Sequence, residues 1–196
     1  MAITYPINTP TTIGIENIEI RAVNAVATSQ SPFTYKQQTI AHQGQRWEAS
    51  ISVPSTRRDS GAAEWKSFLV SLKGQRGTFL LGDPDYATPQ GTVSSCVLSG
   101  SAGDETATVV MTGTLKAGDY IQLGSGSTAR LHQVLVDQDG DGNLEVWPAL
   151  RSDYTSATVV FNTAKGVFRL KENITSWSIN NASSYGISFE AVEAIT

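Results

Sequence analysis

The fold is decided in the stretch Trp47-Glu-Ala-Ser-Ile-Ser-Val-Pro54. Apolar and polar residues alternate along it, and successive side chains of a β-strand point to opposite faces of a sheet. The alternation predicts a strand with one buried face, which ends at the proline. Residues 35–43, on the other side of Gly44, also have the composition of a strand. We therefore expect a β-hairpin made of residues 35–43 and 46–53 that turns at Gly44.

One amphipathic helix is predicted after this strand. Four large apolar residues fall at positions i, i+3, i+4 and i+7 and form a single stripe on a helix. They are Trp65, Phe68, Leu69 and Leu72. Thr56 has the spacing of a capping box, Asp59 or Ser60 could cap the helix instead, and Gly74 stands where a helix-ending glycine belongs. The stripe is expected to pack on the sheet that carries Trp47.

Alternating strand patterns occur at both ends of the chain. Ile18 and Ile20 alternate with polar residues before the hairpin, and a similar pattern resumes after residue 165. We interpret residues 1–90 and 165–196 as one discontinuous domain. Its predicted core consists of Trp47, Ile51, Trp65, Phe68, Leu69, Leu72, Phe79, Trp177 and Phe189.

Residues 91–164 have a different pattern, without helical periodicity. Short β runs are separated by turns rich in glycine, serine and aspartate, which favours a small barrel or sandwich inserted into the first domain. The predicted strands are Val93–Leu98, Thr106–Met111, Asp119–Leu123, Arg130–Val136, Leu144–Trp147 and Ala157–Phe161. The chain as a whole is therefore predicted to be mainly β.

Composition excludes several classes of function. Only 16% of the residues are charged, the net charge is −4, and lysine and arginine form no run, so sequence-specific nucleic acid binding is not expected. No apolar run approaches the roughly 20 residues of a membrane-spanning helix, so no membrane insertion is expected. With one cysteine and no secretion signal in its first ten residues, the chain is expected to fold in a cytoplasm.

The segment Asp137-Gln-Asp-Gly-Asp141 is the sharpest local signal for a metal. Three carboxylates at alternate positions, Asp137, Asp139 and Asp141, resemble the first half of a calcium loop. The twelfth position of such a loop should be a bidentate glutamate, and here it is Pro148. We therefore favour a hairpin turn over a calcium site, and expect neither a metal nor a cofactor.

No catalytic constellation is visible in the sequence. His42 and His132 are the only histidines, and neither has a metal-ligand spacing or lies near Cys96. Cys96 has no nearby basic residue to lower its pKa, which favours a buried, inert thiol. Ser101 and Ser125 lie in turns without the G-x-S-x-G context of a nucleophile. The chain is therefore predicted not to be an enzyme.

The four tryptophans allow two interpretations. They are Trp47, Trp65, Trp147 and Trp177. Aromatic rings can stack on sugars, but they also contribute much of the buried area of a core. Each of the four lies at an inward position of a predicted element or at a strand end, so core packing is favoured. Exposure of Trp147 or Tyr154 would favour sugar binding by the inserted domain.

Several stretches, taken in order, resemble the distal tail proteins of siphophages. They are Trp47–Pro54, Arg58–Pro84 with its Lys-Gly-Gln-Arg-Gly-Thr-Phe-Leu-Leu-Gly-Asp-Pro ending, Leu115–Gln122, Trp147–Arg151, Phe168–Leu170 and Ser188–Glu193. The resemblance covers most of the chain from about residue 40. It rests on the ordered set, since no single motif in it is specific to the family.

The resemblance implies a fold and a role. The fold is a β-sandwich hub domain with one α-helix, formed by residues 1–90 and 165–196, and an inserted barrel-like or OB-like domain of residues 91–164. The role is structural and is performed at the virion tail tip: copies form a hexameric ring that joins the tail tube protein to the hub or fibre proteins and lets DNA pass. The alternatives are a carbohydrate-binding module, a tail-tube or tail-completion protein and, as the enzyme alternative, a small hydrolase.

Overall fold

The computed structural model describes residues 3–195, and these residues are mainly β with one α-helix. Seven strands form a mixed sheet, six form a closed barrel, and two short ones pair with each other. In chain-order numbering, the sheet strands are β1 (Ile7–Asn8), β2 (Asn17–Gln30), β3 (Gln37–Arg57), β4 (Phe79–Leu81), β13 (Gly166–Leu170), β14 (Trp177–Ile179) and β15 (Ser184–Glu193). The barrel strands are β5 (Ser95–Gly100), β6 (Thr106–Thr112), β8 (Tyr120–Leu123), β9 (Arg130–Val134), β11 (Gly142–Trp147) and β12 (Tyr154–Val160). The short pair is β7 (Thr114–Leu115) and β10 (Gln138–Asp139), and the helix α1 is Ala62–Ser71.

The sheet is built from both ends of the chain. Its order is β1-β4-β13-β15-β3-β2, and β14 pairs with one end of β15. β1 is parallel to β4, whereas every other neighbouring pair is antiparallel. The barrel strands all lie in residues 95–160, between the two groups of sheet strands. The mainly β class and the single helix are confirmed, and of the two options for residues 91–164 the barrel is the one observed.

The predicted hairpin around Gly44 is wrong. β3 is one 21-residue strand that runs through Gly44 and pairs with β2, and the chain turns at residues 31–36 instead. Next to Ala25 the register shifts, so that residues 42–44 oppose this one residue. Such an irregularity is a β-bulge, and bulges favour glycine as turns do. A Cβ atom on Gly44 would lie 3.0 Å from the Cβ atom of Ala25, so close strand approach explains the glycine.

The apolar stripe of α1 is confirmed. Trp65, Phe68, Leu69 and Leu72 are all buried. The Phe68 ring makes edge-to-face contacts with Trp65 and with Phe79 of β4, at centroid distances of 5.5 and 5.4 Å. Spacings of this kind are typical of aromatic clusters that carry a large part of a core's buried area. The helix therefore packs on the sheet through the predicted face.

The predicted caps of α1 are wrong. Residues 58–60 form a 3₁₀ turn, and the N-cap of the helix is Gly61, which takes the left-handed conformation with a φ of 119°. Glycine has no side chain, so the helix begins without a side-chain cap. Thr56 donates its hydroxyl to the carbonyl of Ser60 instead. At the other end Lys73 takes the left-handed conformation first, with a φ of 53°, and Gly74 follows with 68°.

One residue of the predicted core is misplaced. Trp177 is 37% exposed, because β14 pairs with β15 alone and lies at an edge of the sheet. The Lys66 ammonium lies 5.6 Å from the centroid of the Trp177 ring and 4.3 Å from that of Tyr185. Phe189 is only half-buried but packs against the core, and the other seven predicted core residues are buried.

Hydrogen bonds of the backbone and of the Asp119 side chain hold the connections between sheet and barrel in place. The amide of Thr163 donates to the carbonyl of Ala87 at 3.1 Å, so the two connecting segments lie side by side. The fully buried Asp119 carboxylate accepts the amides of Gln90 at 2.7 Å and of Lys116 at 2.8 Å. Asp119 thereby fastens the first connection to a barrel turn.

Candidate interaction surface

Residues 24–44 form a two-stranded ribbon, which we call the arm. Every residue of the arm except Ser31 is exposed, so both of its faces are in solvent. β3 pairs with β15 only from Glu48 onward, and β2 is the edge strand of the sheet, so both long edges of the arm lack a strand partner among residues 3–195. The observed hydrogen bonds of residues 26–43 all stay inside the ribbon.

The arm is poor in charge and carries exposed apolar side chains. Lys36 is the only formally charged residue among its 21 residues, in a chain that is 16% charged. Phe33 and Tyr35, at the tip, are 92% and 74% exposed. Val26 and Ile40 are more than half exposed along the strands. Natural edge strands are usually blocked by charges, and the arm lacks that protection, which makes it a candidate surface for binding another chain.

Gln45, the residue that directly follows the arm and forms its base, is hydrogen-bonded to three residues of the barrel unit. The Gln45 side chain accepts the amide of Ala149 at 2.7 Å and donates to the Glu105 carboxylate at 2.9 Å. The Gln45 carbonyl accepts a hydrogen bond from the guanidinium of Arg151. A cleft of about 460 Å³ lies beside these contacts, between the arm and the barrel, and Gln43 is among its lining residues.

Trp147 makes a second contact between barrel and arm. Its indole N–H donates to the Asn24 side-chain oxygen at 2.8 Å. Its ring lies edge-to-face on Trp47 of β3, with the centroids 4.4 Å apart. Trp47 in turn donates its indole N–H to the Leu131 carbonyl of β9 at 2.9 Å. The two tryptophans therefore join the sheet to the barrel, and Trp147 does not present a free ring to a sugar.

A buried ion pair reinforces this junction. The Arg151 guanidinium donates to the Glu193 carboxylate at 2.9 Å, and these side chains are only 12% and 2% exposed. The same carboxylate accepts the backbone amide of Trp47 at 3.2 Å. Glu193 lies at the end of β15 and Arg151 follows β11, so the pair connects the two structural units. Buried charges are retained only when they are paired and hydrogen-bonded, as these are.

His132 is buried in the barrel, where it contacts the backbone of Pro148. Its Nδ1 lies 2.7 Å from the Pro148 carbonyl, and its Nε2 has no hydrogen-bond partner among the described residues. Burial lowers the pKa of His132 to about 4, and the positive charges of Arg151 and Arg130 add to the effect, whereas the hydrogen bond that the imidazole donates to the Pro148 carbonyl opposes it. The imidazole is therefore neutral at physiological pH and serves as a packed barrel residue.

The three aspartates of the candidate calcium loop do not converge. Asp137 accepts the Lys116 ammonium and the Ala117 amide, both at 2.8 Å, and the Lys116 contact lowers the pKa of Asp137. Asp141 accepts the amide of Met111 at 2.8 Å, and Asp139 lies in β10. Each carboxylate thus supports a different part of the turn. Within residues 3–195, no group of three or more potential ligands is placed to hold a metal ion.

The other predicted candidates lie far apart in the fold. His42 lies in the bulge of the arm, whereas Cys96 is buried in β5 of the barrel. Burial raises the pKa of the Cys96 thiol to about 11, which makes the thiol unreactive at neutral pH. Ser125 hydrogen-bonds within its own turn, with Thr128. These residues form no shared site.

Sequence reasoning missed the arm and its anchoring residues. A usable signal for the arm was present: between Arg21 and Arg46 the only charged residue is Lys36, and Ser31-Pro32 offers a turn in the middle of that run. No local pattern marks Gln45 or Glu193, whose partners are distant in the sequence.

Comparisons with known proteins give no family assignment. No protein-family model and no curated protein matches the chain. Of the described residues, no helix is both long and apolar enough to cross a membrane.

Proposed function

We propose that this chain is a structural subunit of the tail tip of a long-tailed bacteriophage. In this proposal it is a distal tail protein whose copies close into a hexameric ring between the tail tube and the hub or fibre proteins. The family and the subunit number come from the resemblance of the ordered motifs described above. Support for self-assembly comes from the arm.

The arm is the observation that carries the proposal. A two-stranded ribbon with both faces in water is marginally stable on its own, so an arm of this length is expected to gain a partner. Its low charge favours pairing with another strand that is poor in charge, such as the arm of a second copy, because neither edge of the arm carries the charges that block strand pairing. In a ring, each copy presents the same arm to the next copy through a heterologous contact.

The two structural units fit the expected architecture of such a subunit. The sheet with α1 would be the ring-forming hub, built as part of a β-sandwich, and the six-stranded barrel would be the OB-like insertion. The barrel would then face a neighbouring tail protein.

The polar face of the sheet is compatible with a bore for DNA. It carries a ladder of ion pairs in which the charges balance. The acidic members are Glu19, Glu48 and Glu190, and the basic members are Arg21, Arg46 and Lys171. Burial opposes ionisation of Glu48, but hydrogen bonds and charge from Arg46 and Lys171 outweigh it and lower its pKa. A balanced surface would let phosphates pass without holding them.

The proposal is tested by measuring the mass of the assembled protein in solution. We expect native mass spectrometry to show one closed oligomer. The Phe33→Ser/Tyr35→Ser variant should dissociate, because it removes the apolar tip of the arm. Val110→Ser, at an exposed apolar residue of the barrel, should leave the mass unchanged. An arm variant that assembles like the parent protein would show that the arm does not mediate assembly.

A further inference from the structure

We propose that a cleft between β13 and β14 receives the tip of the arm of a second copy of this chain. This assignment rests on the proposed ring function and deepens it, because it names the surface of the neighbouring copy that the arm contacts. The tip consists of residues 31–36, and the cleft has a volume of about 260 Å³. We call this cleft the gap, and its lining includes Leu69, Leu170, Glu172, Ile174, Phe189 and Glu190.

The gap exists because β15 changes its partner strand. β15 pairs with β14 up to Ile187 and with β13 from Ala191 onward, so residues 188–190 lie opposite no strand on that side. Phe189 belongs to this stretch, and its ring packs on the core although it is only half-buried. Leu69 of α1 and Leu170 of β13, which also line the gap, are almost fully buried. The floor of the gap is therefore apolar.

The rim of the gap is exposed and carries one carboxylate without a partner. Ile174 is 80% exposed, and Glu172 is exposed as well. Glu172 makes no hydrogen bond or ion pair within the described part of the chain. Glu190, the other carboxylate at the gap, is already paired with Lys171 and Arg21. A complementary partner thus needs an apolar group for the floor and a positive charge for Glu172.

The tip of the arm has this combination. Phe33 and Tyr35 are 92% and 74% exposed, and Lys36, the only charged residue of the arm, follows directly. Within the residues that the structure describes, Lys36 has no ion-pair partner either. With Phe33 on the apolar floor, Lys36 lies within reach of Glu172 at the rim. The aromatic ring supplies the buried area, and the opposite charges select the partner and fix its register.

The arm of the same chain cannot fill the gap. Ser50 of β3 pairs with Glu190 beside the gap, and thirteen residue steps separate Ser50 from Gln37 at the far end of β3. At roughly 3.3 Å per residue, the tip therefore lies about 40 Å from the gap. β3 pairs with β2 on both sides of the bulge, so the ribbon does not reverse its direction. The occupant must belong to another copy.

The free edge of β14 extends the acceptor surface. The amide of Asn180 donates to the carbonyl of Ser184, and bonded and non-bonded pairs alternate along an antiparallel ladder. The backbone groups of Trp177 and Ile179 therefore point away from β15, toward the edge of the sheet. Residues 173–189 contain no charged residue, so this edge is as poor in charge as the arm. A strand of the arm can pair along it while the tip occupies the gap.

The resulting contact has a direction. The arm and the gap are different surfaces of one chain, so each copy gives its arm to one neighbour and receives an arm from the other. Such a heterologous contact closes into a ring or continues as a filament. A contact between two arms would instead be isologous and would end at a dimer.

Cross-linking between copies tests this contact. In Tyr35→Cys/Ile174→Cys, a short bis-maleimide reagent should link the arm of one copy to the gap of the next, and it tolerates a looser fit than a disulfide does. Both positions are exposed, whereas burial raises the pKa of the native Cys96 thiol to about 11 and keeps it unreactive. We expect a ladder of covalent oligomers on a denaturing gel. The matched control Tyr35→Cys/Val110→Cys, with its second cysteine at an exposed barrel residue, should give no ladder.

Charge reversal tests the same contact at the rim. Lys36→Glu and Glu172→Lys each place like charges next to each other, and each should raise the concentration needed for half-assembly roughly fivefold. The double variant Lys36→Glu/Glu172→Lys restores the opposite charges and should assemble like the parent protein. Lys36→Glu/Glu145→Lys, whose second change lies at an exposed barrel residue, should not be restored. A double reversal at the rim without rescue would overturn the contact between Lys36 and Glu172.

The outcomes distinguish the role of the gap from the proposed function. A ladder that is specific to Tyr35→Cys/Ile174→Cys, together with rescue by the double charge reversal, supports the gap as the acceptor. A closed oligomer without this ladder, or one in which Tyr35→Cys alone gives a cross-linked dimer, would overturn the gap and leave the ring standing. A chain that stays monomeric in native mass spectrometry and gives no ladder would overturn both.

Discussion

Removing the buried Glu193 carboxylate should destabilise the protein more than removing any of the exposed charges of the sheet. In Glu193→Ala the Arg151 guanidinium stays buried without its carboxylate, and the Trp47 amide loses its acceptor. Removing one partner of a buried ion pair typically costs about 3–5 kcal/mol. The loss is large because the remaining charge cannot regain its hydration at a site where it is 12% exposed.

Urea unfolding monitored by tryptophan fluorescence measures this effect. With a denaturant slope of about 2–2.5 kcal/mol per molar urea, a loss of 4 kcal/mol lowers the unfolding midpoint by about 1.5–2 M. The double variant Arg151→Met/Glu193→Leu should recover much of this loss, since apolar replacement of a whole buried pair is often neutral.

Glu190→Ala is the matched control on the same strand. Glu190 is ion-paired with Lys171 at 2.7 Å, but its side chain is 45% exposed. We expect no measurable change of the midpoint, because exposed pairs contribute little to stability. A Glu193→Ala midpoint no lower than that of Glu190→Ala would refute the view that this ion pair locks the barrel to the sheet.

Three further predictions concern the core, the buried histidine and the aspartate loop. Phe68→Ala should lower the unfolding free energy by about 3–5 kcal/mol, because it opens a cavity under α1, and a loss below about 1 kcal/mol would contradict that packing. The pKa of His132 is about 4 in the folded protein and about 6.5 in the unfolded chain, so a falling pH protonates the unfolded state first. The free energy of unfolding should therefore be at its full value above about pH 6.5 and should fall by about 3 kcal/mol as the pH drops to 4. His132→Gln should flatten the fall between pH 6.5 and 4.5, and an unchanged slope would refute this cause. EDTA or millimolar calcium should leave the melting temperature unchanged, and a rise of several degrees with calcium that is lost in Asp139→Ala would overturn this.

The periodic spacing of apolar residues correctly predicted those elements that have one buried and one exposed face. The apolar stripe of α1 and the alternating residues around Ile51 in β3 each predict one buried face, and both of these faces are buried. The barrel strands were located within a few residues, because short apolar runs between glycine-rich turns have few alternative structures. The pair β7–β10 was missed, because two-residue strands leave no periodic pattern.

The errors arise where one residue type serves two structures. Gly44 was assigned to a turn, but glycine is equally suited to a bulge, and only the long-range pairing of β3 with β2 distinguishes them. Trp177 was assigned to the core on its apolar character, but β14 pairs with β15 alone at an edge of the sheet, where the ring is 37% exposed. Helix capping by Thr56, Asp59 or Ser60 was assigned on sequence spacing, and the left-handed Gly61 begins the helix instead.

The candidate interaction surface was missed for a different reason. A strand with both faces in solvent has no alternation to detect, so within the arm only residues 35–43 were predicted as a strand, and they were paired with residues 46–53. Asn24 and Gln45, at the base of the arm, have side-chain hydrogen-bond partners between 60 and 123 positions away along the chain. Contacts of this kind follow from the packing of the barrel on the sheet, which composition and periodicity do not specify.

The most direct test of the central proposal is to locate and count the chain in the virion. Cryo-electron microscopy of tails that carry a gold-labelled form of this protein measures both its position and its copy number. We predict a single ring of six copies, coaxial with the tail and placed where the tail tube meets the tip. Label found outside the tail, or a tail component present in one or three copies, would contradict the account.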